Sequence, residues 1–161
     1  MNNSELETLI RNILREQLVP ATPRTLRNAI FQTVDEAVCA AHQAFLRFQQ
    51  CPLKTRSAII SAIREELMPH LTELAEESAK ETGMGNKEDK YLKNKAALDN
   101  TPGVEDLTTT ALTGDGGMVL FEYSPFGVIG SVTPSTNPTE TIINNSISML
   151  AAGNSVYFSP H

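Results

Sequence analysis

The chain has 161 residues, of which 13 are basic and 19 acidic, so its net charge at pH 7 is −6. This acidic balance argues against a nucleic-acid-binding protein, because phosphate neutralisation by lysine and arginine supplies most of that affinity. No apolar run reaches the roughly 18 residues of a membrane-spanning helix. Two cysteines are too few for a disulfide framework or a four-ligand zinc site. We therefore expect no nucleic acid, membrane or metal partner, and a reducing cytosolic compartment.

The first predicted element is an amphipathic helix within residues 1–18. Ser4 and Glu7 have the spacing of a capping box at its start. Its apolar stripe consists of Leu6, Leu9, Ile10, Ile13 and Leu14. Residues 19–28 contain two prolines and no hydrophobic periodicity, which predicts a linker. An isolated helix of this length is marginally stable in water, so the pattern favours a helix that docks on another apolar surface. A helix packed on the chain's own core is the alternative.

The next part of the chain has helical periodicity. Thr33 is the predicted N-cap of one helix, and Pro52 begins another, which Pro69 interrupts and Gly83 ends. A charged helix from Glu88 to Leu98 follows. The lysines in this charged run are interpreted as part of a solvated helix face.

Strand signals begin after residue 117. Met118–Tyr123 and Val128–Thr133 are predicted strands, Thr139–Ala152 is a predicted buried helix, and Ser155–Phe158 is a third strand. Strand, helix and strand at this spacing predict a βαβ unit with parallel strands. The sequence therefore predicts an α/β fold, with residues 29–161 forming helices and the first βαβ of a Rossmann-type sheet. Because a parallel sheet needs several strands, we expect this chain to be the N-terminal part of a longer protein.

The loop from residue 133 to 138 is the candidate site, because it joins the carboxyl end of a strand to a helix N-terminus, where α/β sheets bind ligands. The side chains of Thr136 and Asn137 can hydrogen-bond a phosphate, a ribose or an oxyanion. They can equally cap the helix, and the residue types do not decide between these roles. The sequence has no G-x-G-x-x-G motif.

The two cysteines and two of the histidines, His42 and His70, carry no predicted chemistry. Neither Cys39 nor Cys51 lies next to a feature that would activate a thiolate, and Cys39 is predicted to be a small core residue. His42 and His70 have no partner at metal-ligand spacing, so we predict no metal site.

Several motifs in series resemble CoA-acylating aldehyde dehydrogenases of the aldehyde dehydrogenase superfamily. These motifs are Glu81–Gly85, Asn100–Glu105, Pro125–Gly130, Thr133–Thr139 and Ala151–His161. Residues 3–11 resemble the encapsulation peptide of the propionaldehyde dehydrogenases found in propanediol-utilisation microcompartments. The Thr-Pro-Ser-Thr-Asn-Pro loop is shared with the acetaldehyde dehydrogenases of ethanolamine utilisation, so it does not separate the two groups.

The resemblance implies an aldehyde dehydrogenase-like fold and a reaction that uses NAD and coenzyme A to convert a small aldehyde to an acyl-CoA. It implies that the backbone of Val132, Thr133 and Pro134 lines the cofactor site. Ser159 and His161 would lie toward the adenosine end of the cofactor.

The resemblance also implies an oxyanion donor in the loop. The asparagine of the hydrolytic enzymes aligns with Thr136, and Asn137 follows one place later, so both are candidates. The nucleophilic cysteine would lie beyond residue 161, and the chain alone is predicted to be inactive. The whole protein would be a homo-oligomer in a bacterial microcompartment, with residues 1–18 bound to a shell protein. A non-catalytic targeting or interaction module is the alternative from another functional class.

Overall fold

The computed structural model describes residues 29–161. The chain divides into two units, Met1–Gln32 and Thr33–His161, and the second unit contains all the helices and strands described below. The predicted targeting helix within residues 1–18 and the linker at 19–28 lie outside the described residues. The same is true of the predicted docking residues Leu6, Leu9, Ile10, Ile13 and Leu14.

Four helices come first in the described part of the chain. They are α1 (Val34–Phe48), α2 (Leu53–Leu67), α3 (Leu71–Thr82) and α4 (Lys87–Asn100), with a 3₁₀ turn at Met68–His70 between α2 and α3. The predicted helices are present, and α4 extends one residue before and two residues after its predicted range of Glu88 to Leu98. The hydroxyl of Thr33 accepts a hydrogen bond from the backbone N–H of Glu36 at 3.2 Å, and Gly83 ends α3 in the left-handed conformation with φ 64°. No helix among residues 29–161 is long and apolar enough to cross a membrane.

The buried core is formed by α2, α3, α4 and a fifth helix, α5 (Pro138–Ala151). Its buried members are Ile60, Leu71, Leu98, Ile143, Ile147 and Ala151. On α5 the buried residues recur at every fourth position, which places them on one face. Ile142, beside that face, is 37% exposed. The prediction of a buried helix therefore holds for one face of α5 and not for its whole circumference.

The predicted βαβ unit is present. Strand β3 (Val128–Thr133) pairs in parallel with β4 (Ser155–Pro160), and α5 lies between them in sequence. Two buried polar contacts fix the strands' starts: Gly127 N–H donates to Asn154 Oδ1 at 3.0 Å, and Ser155 Oγ donates to the carbonyl of Ala41 on α1 at 2.8 Å. The α/β fold class predicted from sequence is confirmed.

A β-hairpin precedes this unit, and half of it was not predicted. Strand β1 (Thr110–Gly114) pairs antiparallel with β2 (Gly117–Phe121), and Gly114 lies opposite Gly117. Only the second strand was expected from the sequence. Both strands are exposed along their whole length. Because neither face of β1 is buried, its sequence, Thr-Ala-Leu-Thr-Gly, has no alternation of apolar and polar residues, which is the pattern that identifies a half-buried strand.

The prediction that Cys39 is a core residue is wrong, because Cys39 is exposed. The residue of α1 that is buried is Ala41, next to the sheet. Two positions along a helix correspond to a rotation of about 200°, so Cys39 lies on nearly the opposite side of α1 from Ala41.

Candidate functional site

The candidate site begins at the carboxyl ends of β3 and β4. Val132 lies opposite Ser159 and Thr133 opposite Pro160 in the parallel register, so Pro134 and His161 are the next residues beyond this edge. The structure thus brings together all five residues predicted to line the cofactor site: Val132, Thr133, Pro134, Ser159 and His161. Their contact with a cofactor remains a prediction.

Side chains at this edge divide between the two faces of β3. Val132 is 78% exposed, whereas Ser131 and Thr133 are 4% and 1% exposed. Asn145 of α5 donates from Nδ2 to the hydroxyl of Ser131 at 2.9 Å. Thr133 is buried as a whole residue, and the backbone role predicted for it stays a prediction.

The loop that follows β3 contains both predicted oxyanion donors. The backbone carbonyl of Thr136 accepts a hydrogen bond from Lys90 Nζ at 3.0 Å, while its side chain is exposed. Asn137 occupies the N-cap position of α5, yet its side chain makes no capping hydrogen bond. Its Oδ1 accepts instead from Lys93 Nζ at 3.1 Å. The interpretation of these two side chains as helix caps is therefore wrong.

Helix α4 supplies the residues that sequence analysis missed. Lys90 and Asn94 are 3% and 0% exposed, although the charged run around them was interpreted as a solvated face. That interpretation holds for Lys87 and Lys95, whose side chains are 57% and 42% exposed. The spacing of Lys90, Lys93 and Asn94 is i, i+3 and i+4, which places the three on one face of α4. This spacing was the available signal, but their partners lie in α5 and the loop before it.

Buried polar atoms without a partner border the loop. Among the described residues they include Asn94 Nδ2, Thr133 Oγ1 and both carboxylate oxygens of Glu140 in the first turn of α5. Such atoms are uncommon in folded proteins. Three of these side chains, those of Asn94, Thr133 and Glu140, come from α4, β3 and α5, the elements around the loop. Residues 29–161 contain no cluster of three or more His, Cys, Asp or Glu side chains that could hold a metal ion.

An apolar groove of about 600 Å³ lies between α2, α3 and α5. Thr139 and Ile142, from the first turns of α5, line this groove together with Ile59, Ile63, Leu67, Leu74 and Leu150. Thr139 also donates a hydrogen bond to Asn94 Oδ1 at 2.7 Å. The start of α5 is thus bordered by a polar cluster on one side and an apolar groove on another.

Residues 21–161 match the sequence profile of the aldehyde dehydrogenase family. The chain belongs to this family. Among curated relatives, the propanal dehydrogenase (CoA-propanoylating) of Citrobacter freundii is 84% identical over 161 residues, which are 100% of this chain and 35% of that protein. The acetaldehyde dehydrogenase (acetylating) EutE of Escherichia coli K12 is 45% identical over 163 residues, covering 100% of this chain and 34% of that protein. The resemblance to CoA-acylating aldehyde dehydrogenases is confirmed.

Solved structures give the same result. The propionaldehyde dehydrogenase of Rhodopseudomonas palustris with bound propionyl-CoA is 52% identical, with a TM-score of 0.79 over 83% of this chain and 30% of that one. An engineered glycolyl-CoA reductase with bound NADP+ has the same identity and TM-score, 52% and 0.79, over 82% of this chain and 30% of that one. A propionaldehyde dehydrogenase from the fucose utilisation microcompartment of Clostridium phytofermentans is 49% identical, with a TM-score of 0.79 over 83% and 31%. The chain spans about a third of the length of these relatives.

Proposed function

We propose that this chain forms the N-terminal third of a CoA-acylating propanal dehydrogenase. The observation that carries this proposal is the 84% identity to the Citrobacter freundii propanal dehydrogenase over the whole chain. The acetaldehyde dehydrogenase EutE, at 45% identity, supports a two-carbon aldehyde as the second candidate substrate. Identity favours the three-carbon substrate.

The proposed reaction has two stages. A cysteine thiolate outside this chain adds to the aldehyde carbon, and a hydride then leaves that carbon, so that a thioester remains. The nicotinamide nucleotide supplies the hydride acceptor. The thiol of coenzyme A then attacks the thioester carbon and displaces the cysteine thiolate, which releases the acyl-CoA.

Negative charge develops on the aldehyde oxygen when the cysteine thiolate adds, and a hydrogen-bond donor aimed at that oxygen lowers the barrier.

The loop before α5 is where we place that donor. Asn137 presents an amide with Oδ1 bonded to Lys93, and its Nδ2 makes no hydrogen bond among the described residues. Thr136 offers an exposed hydroxyl. Both stay candidates from the sequence, and the free N–H groups of Asn137 make it the better one. The positive end of the α5 dipole adds to the stabilisation of an oxyanion at this position.

The edge formed by β3 and β4 is the proposed site of the nucleotide and of coenzyme A. Exposed Val132, Ser159 and His161 lie where α/β proteins bind ligands, at the carboxyl ends of parallel strands. Backbone groups from Val132 to Pro134 would contact the cofactor, and Ser159 and His161 would lie toward its adenosine end. NAD is the nucleotide that the sequence resemblance implies, and the bound NADP+ of one structural relative makes NADP+ the comparison to test.

Residues 1–18 are the proposed targeting segment. An apolar stripe on a short helix tethered by a proline-containing linker fits a helix-in-groove contact with another protein. We propose a shell protein of a bacterial microcompartment as that partner, and the microcompartment as the location of the homo-oligomeric enzyme. The microcompartment origin of the Clostridium phytofermentans relative supports this assignment.

A chimera tests the proposed function. Residues 1–161 of this chain replace the matching segment of the Citrobacter freundii enzyme, and the chimera is assayed for NADH formation with propanal and CoA. We expect a rate similar to that of the parent, dependence on CoA, and a higher kcat/KM for propanal than for acetaldehyde. A control chimera carries the matching EutE segment. A folded chimera that does not oxidise propanal contradicts the proposal, and a preference for acetaldehyde supports the second candidate.

A further inference from the structure

One face of α4 contacts the loop at three points. Lys90 Nζ donates to the carbonyl of Thr136 at 3.0 Å, and Lys93 Nζ donates to Asn137 Oδ1 at 3.1 Å. Asn94, one residue after Lys93 and one helical turn after Lys90, accepts with Oδ1 from the hydroxyl of Thr139 at 2.7 Å. The loop and the first turn of α5 are therefore held by polar side chains from a helix that is more than forty positions away in the sequence, at separations of 44 to 46 residues.

The contact with Lys93 determines which way the Asn137 amide faces. An ammonium group has only donors, so the amide oxygen must face Lys93 and the NH₂ group must face away from it. Because Nδ2 makes no hydrogen bond among the described residues, its two N–H groups are available to another acceptor. A charged donor on Oδ1 also polarises the amide and strengthens it as a donor, since linked hydrogen bonds reinforce one another.

Asn137 forgoes a stabilising interaction to make this contact. Asparagine at an N-cap normally accepts a stabilising hydrogen bond from a backbone N–H of the first turn of the helix. Here Asn137 has φ −139° and ψ 62° and makes no such bond. The first turn is held instead by Thr141, whose hydroxyl donates to the backbone carbonyl of Asn137 at 2.6 Å.

Lys90 holds the backbone of the same segment through its hydrogen bond to the carbonyl of Thr136. It is 3% exposed, and neither it nor Lys93 forms an ion pair with any described residue. Burial of an ammonium group without a carboxylate partner is costly unless its hydrogen bonds are made. Glu140 contributes a carboxylate in the first turn of α5, and its oxygens bond to neither lysine. Two cations beside the positive end of α5 favour the development of negative charge near the loop.

We propose that Lys93 and Lys90 are positioning residues for the oxyanion donor, Lys93 by orienting the amide of Asn137 and Lys90 by fixing the backbone at Thr136. This inference rests on the proposed function and adds two residues, from a different helix, to the site. As positioning residues, the two lysines are not expected to contact the substrate. Both act through the segment from Thr136 to Asn137.

The test is a double-mutant cycle in the chimera with propanal, CoA and NAD. Lys93→Met should lower kcat by about 10- to 100-fold, the range expected for loss of a hydrogen bond to a charged group, with little change in KM. Lys93→Arg keeps a donor and should restore most of the rate. In an Asn137→Ala background, Lys93→Met should have no further effect, because the amide that it orients is absent. Lys95→Met, on the same helix but away from the loop, is the matched control and should leave kcat unchanged.

Three results would overturn the inference: an unchanged kcat in Lys93→Met, an effect of the same size in the Asn137→Ala background, or an equal loss in Lys95→Met. Lys90→Met should lower both stability and kcat, and if it fails to fold, the Lys93 cycle still decides. The unsubstituted chimera separates this inference from the proposed function. An inactive chimera refutes the function, whereas an active chimera with independent effects at the two positions refutes only the positioning role.

Discussion

Gly103 and Glu105 form a small hydrogen-bonded turn after α4. The N–H groups of Glu105 itself and of Gly103 lower the pKa of the Glu105 carboxyl below its ordinary value of 4.5. The contact with Gly103 N is 2.7 Å. A Cβ at position 103 would lie 2.6 Å from Glu105 Oε2, so a side chain there would displace the carboxylate. A substitution at Gly103 would therefore cost the Glu105 carboxylate its hydrogen bond to the Gly103 N–H, because the flexible Glu105 side chain would move aside.

The lowered pKa gives a pH-dependent prediction. A carboxyl group with a lowered pKa in the folded state stabilises the fold above its unfolded pKa, and this contribution is lost as the pH falls through the folded value. Glu105→Gln should therefore lower the free energy of unfolding at pH 7, and the difference from the wild type should shrink below about pH 4.5. Urea unfolding between pH 7 and 3, followed by circular dichroism, measures it, with Asp106→Asn as the control. A difference that grows as the pH falls would contradict this account.

Single residues show where sequence reasoning reaches its limit. The loop position of Asn137 and its polar character were evident from the sequence, because helix starts and strand ends have local signals. Its partner was not, since Lys93 lies 44 positions earlier and no local pattern specifies a tertiary hydrogen bond. The exposure of Cys39 was missed for a related reason: which side of α1 meets the sheet depends on Ala41 and its contact with Ser155.

At the scale of elements, α5 connects the core to the site. Its first turn belongs to the loop and its later turns carry Ile143, Ile147 and Ala151 into the core. The C-terminal end of α5 is held by Arg56 of α2, which donates from Nη1 to the carbonyl of Ala151 at 3.3 Å. Core packing of α5 therefore sets the position of the loop that precedes it.

Truncation of the α5 core tests this dependence. Ile147 is 0% exposed, and Ile147→Ala should lower the free energy of unfolding by about 2–5 kcal/mol, through lost burial and an unfilled cavity. Leu112→Ala in β1, at a side chain that is 58% exposed, is the control and should change it by less than about 0.5 kcal/mol. Urea unfolding of the two variants provides the comparison. Equal effects would show that α5 is not the core element described here.

The elements that could be predicted from sequence are those in which apolar residues recur at regular spacing. The βαβ unit has apolar strands, a long helix and clear turn residues, and its parallel pairing follows from general rules of connection. Strand β1 has five exposed residues and gains its conformation from pairing with β2. Its one sequence signal was Asp115-Gly116, a dipeptide typical of hairpin turns, between two short strands.

At the scale of the whole molecule, we propose that the chain combines a targeting segment, residues 1–18, with the N-terminal part of a cofactor-binding domain, residues 29–161. The chain spans 35% of the length of the Citrobacter freundii relative. The acidic composition argues against a nucleic-acid-binding protein, and the β3 and β4 edge has the position at which α/β proteins bind ligands. The proposed targeting role rests on the sequence pattern of residues 1–18 and on the microcompartment origin of one structural relative.

A charged substitution tests the targeting role. Leu9→Glu places a carboxylate in the apolar stripe, which should abolish co-purification of the chimera with microcompartment shells, because burying an unpaired charge is unfavourable. Propanal oxidation by the purified chimera should be unchanged. Thr8→Glu, on the polar side of the same predicted helix, is the control and should retain co-purification. Retained encapsulation of Leu9→Glu would contradict the docking role of the stripe.

The most direct test of the site compares two neighbouring substitutions in the chimera. If the amide of Asn137 donates to the oxyanion, Asn137→Ala should lower kcat for propanal by about 10²- to 10³-fold, the loss typical of one oxyanion donor. Thr136→Val keeps the backbone carbonyl that Lys90 holds and should change kcat only slightly. A large loss in Thr136→Val together with a small one in Asn137→Ala would contradict the account.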